Sequence, residues 1–99
     1  MIVADGSAIP MPGKRNEYVT IMKELAAYGE QRWAGASPRM VIEDLTDGRI
    51  RLITMRASLA EVESAVAEQN SDVQWQTLRQ KLNELTVPGS FRLSYSRVL

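Results

Sequence analysis

The sequence predicts an α+β fold, a small three-stranded sheet with a hairpin, packed on one face by about three helices in the order helix, strand, strand, helix, helix, strand. Three observations predict it. Residues 17–33 repeat apolar side chains at helical spacing, residues 40–54 hold two apolar runs around a glycine turn, and residues 91–96 alternate apolar with polar. With 99 residues the chain has the length of one domain, and its 44% apolar and 24% charged composition is that of a globular one.

Residues 1–15 read as a flexible N-terminal arm, and 16–99 as the single folded domain. Pro10, Pro12 and Gly13 fall in a stretch without period, where proline removes amide donors and fixes its own torsion. A short strand at Ile2-Val3-Ala4 is the alternative. A helix follows from Glu17 to Trp33, with Asn16 as its N-cap and Tyr18, Met22, Leu25, Gly29 and Trp33 along one stripe. Gly35 and Pro38 are expected to end it.

The hairpin pairs 40–45 with 49–54 around Thr46-Asp47-Gly48, where glycine suits a tight reversal. A two-residue loop sets Asp44 opposite Arg51; a three-residue loop sets Glu43 there. The second choice is preferred because it gathers Met40, Ile42, Ile50 and Leu52 on one side, away from Glu43, Arg49 and Arg51. Ser58-Leu59-Ala60-Glu61 is a capping box opening a helix with Leu59, Val62 and Val66 on its apolar side. A second helix begins near Ser71-Asp72 and carries Trp75, Leu78, Leu82 and Leu85. One helix over 58–86 would be roughly 43 Å long at 1.5 Å per residue, too long for this domain. Val87-Pro88-Gly89 then turns the chain into a last strand, Phe91–Val98.

Chemistry is scarce in this composition. The absence of His and Cys removes the catalysis and metal sites built on them. Gly6 to Gly13-Lys14-Arg15 has the wrong spacing for a phosphate loop and lacks its hydroxyl. Glu43 and Asp44 point to opposite faces of a strand, and Glu61 serves as a cap. The expectation is therefore no enzyme, no catalytic residue, no cofactor and no metal. Zero net charge argues against nonspecific capture by nucleic acid or an acidic membrane, no apolar run approaches the roughly 20 residues of a spanning helix, and Met1-Ile2-Val3-Ala4-Asp5 does not open as a leader. Compartment is unknown.

Nine of the 12 bases are Arg. The partner-binding candidates are Arg49, Arg51 and Arg92 on the outer sheet face, Ser94, Tyr95, Ser96 and Arg97 on a last strand with no proline or lysine to blunt its edge, and Trp33 at the helix end. Met40 and Met55 extend that patch. These residues suggest a non-catalytic protein–protein interaction or scaffold module pairing with itself through a sheet edge. The alternatives are a small nucleic-acid-binding or regulatory protein, using the arginine face or the polar side of 71–85 (Gln76, Arg79, Gln80, Asn83), and a phage- or plasmid-type accessory inhibitor of a host protein.

Gly48-Arg49-Ile50-Arg51-Leu52, followed after a gap by Ser58-Leu59-Ala60-Glu61-Val62 opening a helix, resembles ferredoxin-like modules of helix–strand–strand–helix–strand order, as in type IV pilus and type II secretion assembly-platform proteins and BON domains. The likeness spans residues 17–97 and implies an interaction module, often paired with a copy of itself. The chain departs from it in placing two helices before the last strand. The order is also similar to that of prokaryotic KH domains, but Asn70-Ser71-Asp72 stands where their Gly-x-x-Gly loop belongs.

Overall fold

Ile2–Ala8, expected within a free arm, is the strand on which the sheet is built. The computed structural model describes residues 1–33 and 39–99. In it, β1 (Ile2–Ala8) pairs antiparallel with both β3 (Ile50–Arg56) and β4 (Arg92–Arg97), and β2 (Met40–Glu43) pairs with β3, giving four strands in the order β2-β3-β1-β4. Three expected strands are thus four. The miss has a physical cause: Ala4, Gly6, Ser7 and Ala8 lack the branched and aromatic alternation that marks a strand, but β1 is paired along its length by ladders on both sides. The arm is tied down further along as well. Met11 N–H donates to the Leu85 carbonyl at 2.8 Å and Val87 N–H to that of Ile9 at 2.8 Å.

The first helix, α1 (Arg15–Arg32), starts two residues before the expected site, and its N-cap is Lys14 without a side-chain bond; Asn16 lies inside the first turn. The predicted stripe is correct, since Tyr18, Met22, Leu25 and Gly29 are buried and the Trp33 amide closes onto the Gly29 carbonyl. Gly35 and Pro38 lie outside the described residues.

The hairpin takes neither expected register. Ile42 stands opposite Arg51 and Glu43 opposite Ile50, so four residues, Leu45 to Gly48, form the loop. Local polar bonds favour this longer turn. The Asp44 carboxylate accepts from Thr46 N–H at 2.8 Å, Asp47 accepts from Arg49 N–H at 3.0 Å, and Gly48 sits at φ +79°. The slip of one residue inverts β2. Met40 and Ile42 are exposed beside Arg51, while Val41 packs with Ile50 and Leu52 on the helix side.

Two helices do precede the last strand, α2 (Leu59–Ser71) and α3 (Val73–Glu84). Ser58 Oγ accepts from Glu61 N–H at 3.3 Å, and the Glu61 carboxylate accepts from Ala57 N–H rather than from Ser58. The α3 cap is Asp72, not Ser71. It takes Trp75 N–H at 2.9 Å, the Tyr28 hydroxyl at 2.8 Å and Arg32 Nε at 3.3 Å, which ties α1 to the α2–α3 joint. The bond from the Trp75 amide, aided by Tyr28 and Arg32, holds this carboxyl below its ordinary value. A depressed carboxyl stabilises the fold above its ordinary pKa of 3.8 and loses that contribution as pH falls through the folded value. Asp72→Ala is expected to lower the melting temperature by roughly 4–8 °C at neutral pH and by much less in strong acid, read by circular-dichroism melts at both ends.

The core lies between α1, α3 and the middle of the sheet, joining Tyr18, Met22, Leu25 and Trp33 to Ile50, Trp75, Leu78, Leu82 and Leu85. The apolar side of α2 is only partly used: Val62 is buried, but Leu59 and Val66 remain exposed. Among the described residues no helix is long and apolar enough to cross a membrane.

Candidate functional site

A cavity opens where α2 stands away from the sheet, with a volume of about 250 Å³. Its floor is Ala4 and Gly6 of β1 with Leu52, Thr54 and Arg56 of β3. Tyr18, Met22 and Leu25 of α1 form the back wall, Val62, Ala65, Val66 and Gln69 of α2 one side, and Trp75, Gln76, Arg79, Leu82 and Asn83 of α3 the other. Phe91, Leu93 and Tyr95 stand at the rim, about half-exposed.

The register explains why these side chains meet. Leu93 pairs with Gly6 and Tyr95 with Ala4, so β4 sends its apolar side over two of the three smallest residues of β1. A Cβ at Gly6 would meet nothing nearer than 3.9 Å, at the Phe91 ring, and a central strand glycine here keeps the floor clear. Arg79 stacks over Phe91 with its guanidinium carbon 5.4 Å from the ring centre.

The walls hold Arg39, Arg56 and Arg79 but no Asp or Glu among the described residues. The Tyr18 hydroxyl, raised above its ordinary value by burial, stays a proton donor through neutral pH. Arg39, packed in the interior near the Arg56 charge, is lowered to about 10, chiefly by burial, and remains cationic at neutral pH. The charged groups of this cavity are therefore all cationic donors, beside amide and hydroxyl side chains that can donate or accept. Chemically, it can hold a ring and stabilise negative charge on a ligand oxygen.

The predicted partner residues do not converge. Arg51 is clamped by Asp5 at 3.1 Å and Asp44 at 2.9 Å on the helix-free face, and Arg49 is buried there, donating to the Ser90 carbonyl at 2.7 Å. Arg92, Ser94 and Ser96 share that face, in register with Ser7, Asp5 and Val3. Tyr95 and Arg97 turn to the other side. Trp33 is buried, edge-on to Tyr28 at 6.1 Å and to Trp75 at 5.1 Å, so it offers no surface patch. β4 is an edge strand as expected, pairing within the described residues only with β1.

No family model and no curated protein matches the sequence. Solved structures do match in shape. An antibiotic biosynthesis monooxygenase superposes with a TM-score of 0.78 at 12% identity, over 100% of this chain and 99% of its own. Rv0793 from Mycobacterium tuberculosis gives 0.76 at 14% identity, covering 99% and 94%, and a NIPSNAP domain protein from Burkholderia xenovorans 0.77 at 12%, covering 100% and 95%. This chain has their ferredoxin-like fold.

These neighbours correct three expectations. The likeness is to proteins named for antibiotic biosynthesis monooxygenases and NIPSNAP domains, not to pilus or secretion platform modules or BON domains. A glycine-turn hairpin followed by a capped helix is common to ferredoxin-like chains, and the strand that completes this one, β1, has the composition of a linker. The reading as a non-catalytic scaffold, with its nucleic-acid and inhibitor alternatives, gives way because whole-chain neighbours are named as enzymes. The expectation of no enzyme falls with it. Of the cavity residues, Gly6 is legible only in part, and Arg39 carries no local signal that sets it apart from the other arginines. A glycine inside a strand signals a close approach or an open floor, but the residues around Gly6 do not read as a strand.

Proposed function

We propose that the chain is a small-molecule enzyme, an oxygenase whose substrate is a compact ring compound held between the sheet and α2–α3. The carrying observation is the cavity, which has aromatic and apolar walls, cationic ends and a position at the heart of a fold shared with a protein named antibiotic biosynthesis monooxygenase. Monooxygenation balances here with the ring compound as its own reductant. A ring CH2 is oxidised to C=O by one dioxygen, one oxygen atom entering the product and the other leaving as water with the two hydrogens of that carbon. The contribution of this chain is to enclose the ring between Leu52, Met22, Val62 and Trp75, and to lower the energy of negative charge on the substrate oxygen with guanidinium groups.

The test is a panel of ring compounds, from one ring to three fused rings, followed by tryptophan fluorescence and by an oxygen electrode. Trp75 lines the cavity, so a bound ring is expected to change its emission saturably, and at least one binder is expected to drive oxygen uptake above the protein-free rate. Binding without uptake across the panel would leave a binding protein and remove the oxygenase reading.

A further inference from the structure

We propose that Arg39 anchors a carboxylate on the molecule that fills the cavity, so that the substrate class is a compact ring carboxylic acid. This rests on the reading of the cavity as a ligand site and adds the chemistry of one end of that ligand.

Arg39 is only 7% exposed, lines the cavity, and has no hydrogen-bond partner on either Nη1 or Nη2. Its backbone is fixed, the amide donating to Glu30 Oε1 at 2.8 Å. Its guanidinium carbon lies 5.8 Å from the Trp33 ring centre and 5.9 Å from that of Trp75. The two indoles favour the cation but leave the terminal N–H groups unbound. Gly29 of α1 makes room for the group: a Cβ there would come within 2.7 Å of the guanidinium carbon and 2.8 Å of Nη1. Glycine weakens a helix interior relative to alanine, so its presence beneath a buried cation has a local cost that only the position of Arg39 explains.

A buried cation without a bonded counter-charge is among the least favourable groups a fold can hold. Arg56, lining the same cavity, adds a like charge close by. Both Nη are covered as well as unbonded, and once a ligand shifts the side chain toward the cavity, two Nη groups in one plane match the two oxygens of a carboxylate in a parallel pair of charge-assisted bonds. The Glu30 carboxylate, which accepts the Arg39 amide, offsets part of the charge but bonds neither Nη. No Asp or Glu stands among the described lining residues, so the terminal N–H groups are left for the ligand to bond. The apolar walls at Met22, Leu52 and Val62 then receive the ring.

The experiment titrates the protein with 1-naphthoate and with its neutral analogue 1-naphthamide, followed by tryptophan fluorescence near neutral pH. The acid is expected to bind about 10–100-fold more tightly. Arg39→Met is expected to abolish that preference, leave the amide within about threefold, and raise the melting temperature by removing the unpaired charge. Gly29→Ala keeps the charge but displaces the guanidinium, and is expected to lose the preference with α1 intact. Equal binding of the two probes by the wild-type protein would overturn the anchor and leave the cavity reading standing. Binding of neither would overturn both. Preference retained in either variant, or Arg39→Met melting lower than wild type, would make Arg39 structural and also overturn the proposal.

Discussion

Ile50→Ala is expected to produce the largest loss of stability of any change considered, about 2–5 kcal/mol, with a fall in melting temperature of roughly 10–30 °C. Ile50 is 1% exposed, at the first position of β3, in register with Ala8 and Glu43 and packed within the cluster that joins α1 and α3 to the sheet. Its neighbours belong to several elements, so they cannot close together over the space the side chain leaves. Domains of this size hold about 5–15 kcal/mol in total, and the variant would spend a large part of it. Urea unfolding followed by circular dichroism measures the loss directly. A change below about 1 kcal/mol would mean that the core does not pass through this position.

Gly6→Val is expected to produce the largest loss of ligand binding, more than about tenfold, with no loss of stability. Gly6 lies in the middle of β1 between Leu52 and Leu93, its backbone is already in the strand, and its side of the sheet faces the cavity. A Cβ would sit at ordinary contact distance, 3.9 Å from Phe91 and 4.0 Å from Leu93. The added methyl groups enter the cavity floor, while a branched side chain suits a strand better than glycine does. Fluorescence titration of the best-binding ring compound, paired with a thermal melt, separates the two effects. Undiminished binding would move the site away from the sheet floor; diminished binding with a collapsed melt would mean that Gly6 serves packing instead.

The elements most legible in the sequence were those with strong local signals. The α1 stripe, the Ser58 cap, the break into α2 and α3, and the Leu93 and Tyr95 alternation are all present in the fold. Each depends on contacts within a few residues, which periodicity and capping report. Less was legible where two segments distant in the chain decide the outcome. β1 has the composition of a linker and becomes a strand because β3 and β4 bracket it. The hairpin register was set by carboxylates in its loop, a detail that outweighed the better segregation of apolar from charged side chains in the shorter turn.

The sequence by itself determined the α+β class, most helix faces, the exclusion of His- and Cys-based chemistry and the abundance of arginine. The tertiary structure alone decided which arginines are neutralised and which are left bare. Arg51 finds Asp5 and Asp44 across the sheet, whereas Arg39 is carried inward against Gly29 and two indoles with its terminal nitrogens unpartnered. Both are the same residue type, at or near the hairpin strands. Their difference arises because burial and charge pairing depend on distances through space, which strand order and helix placement set and local spacing does not record.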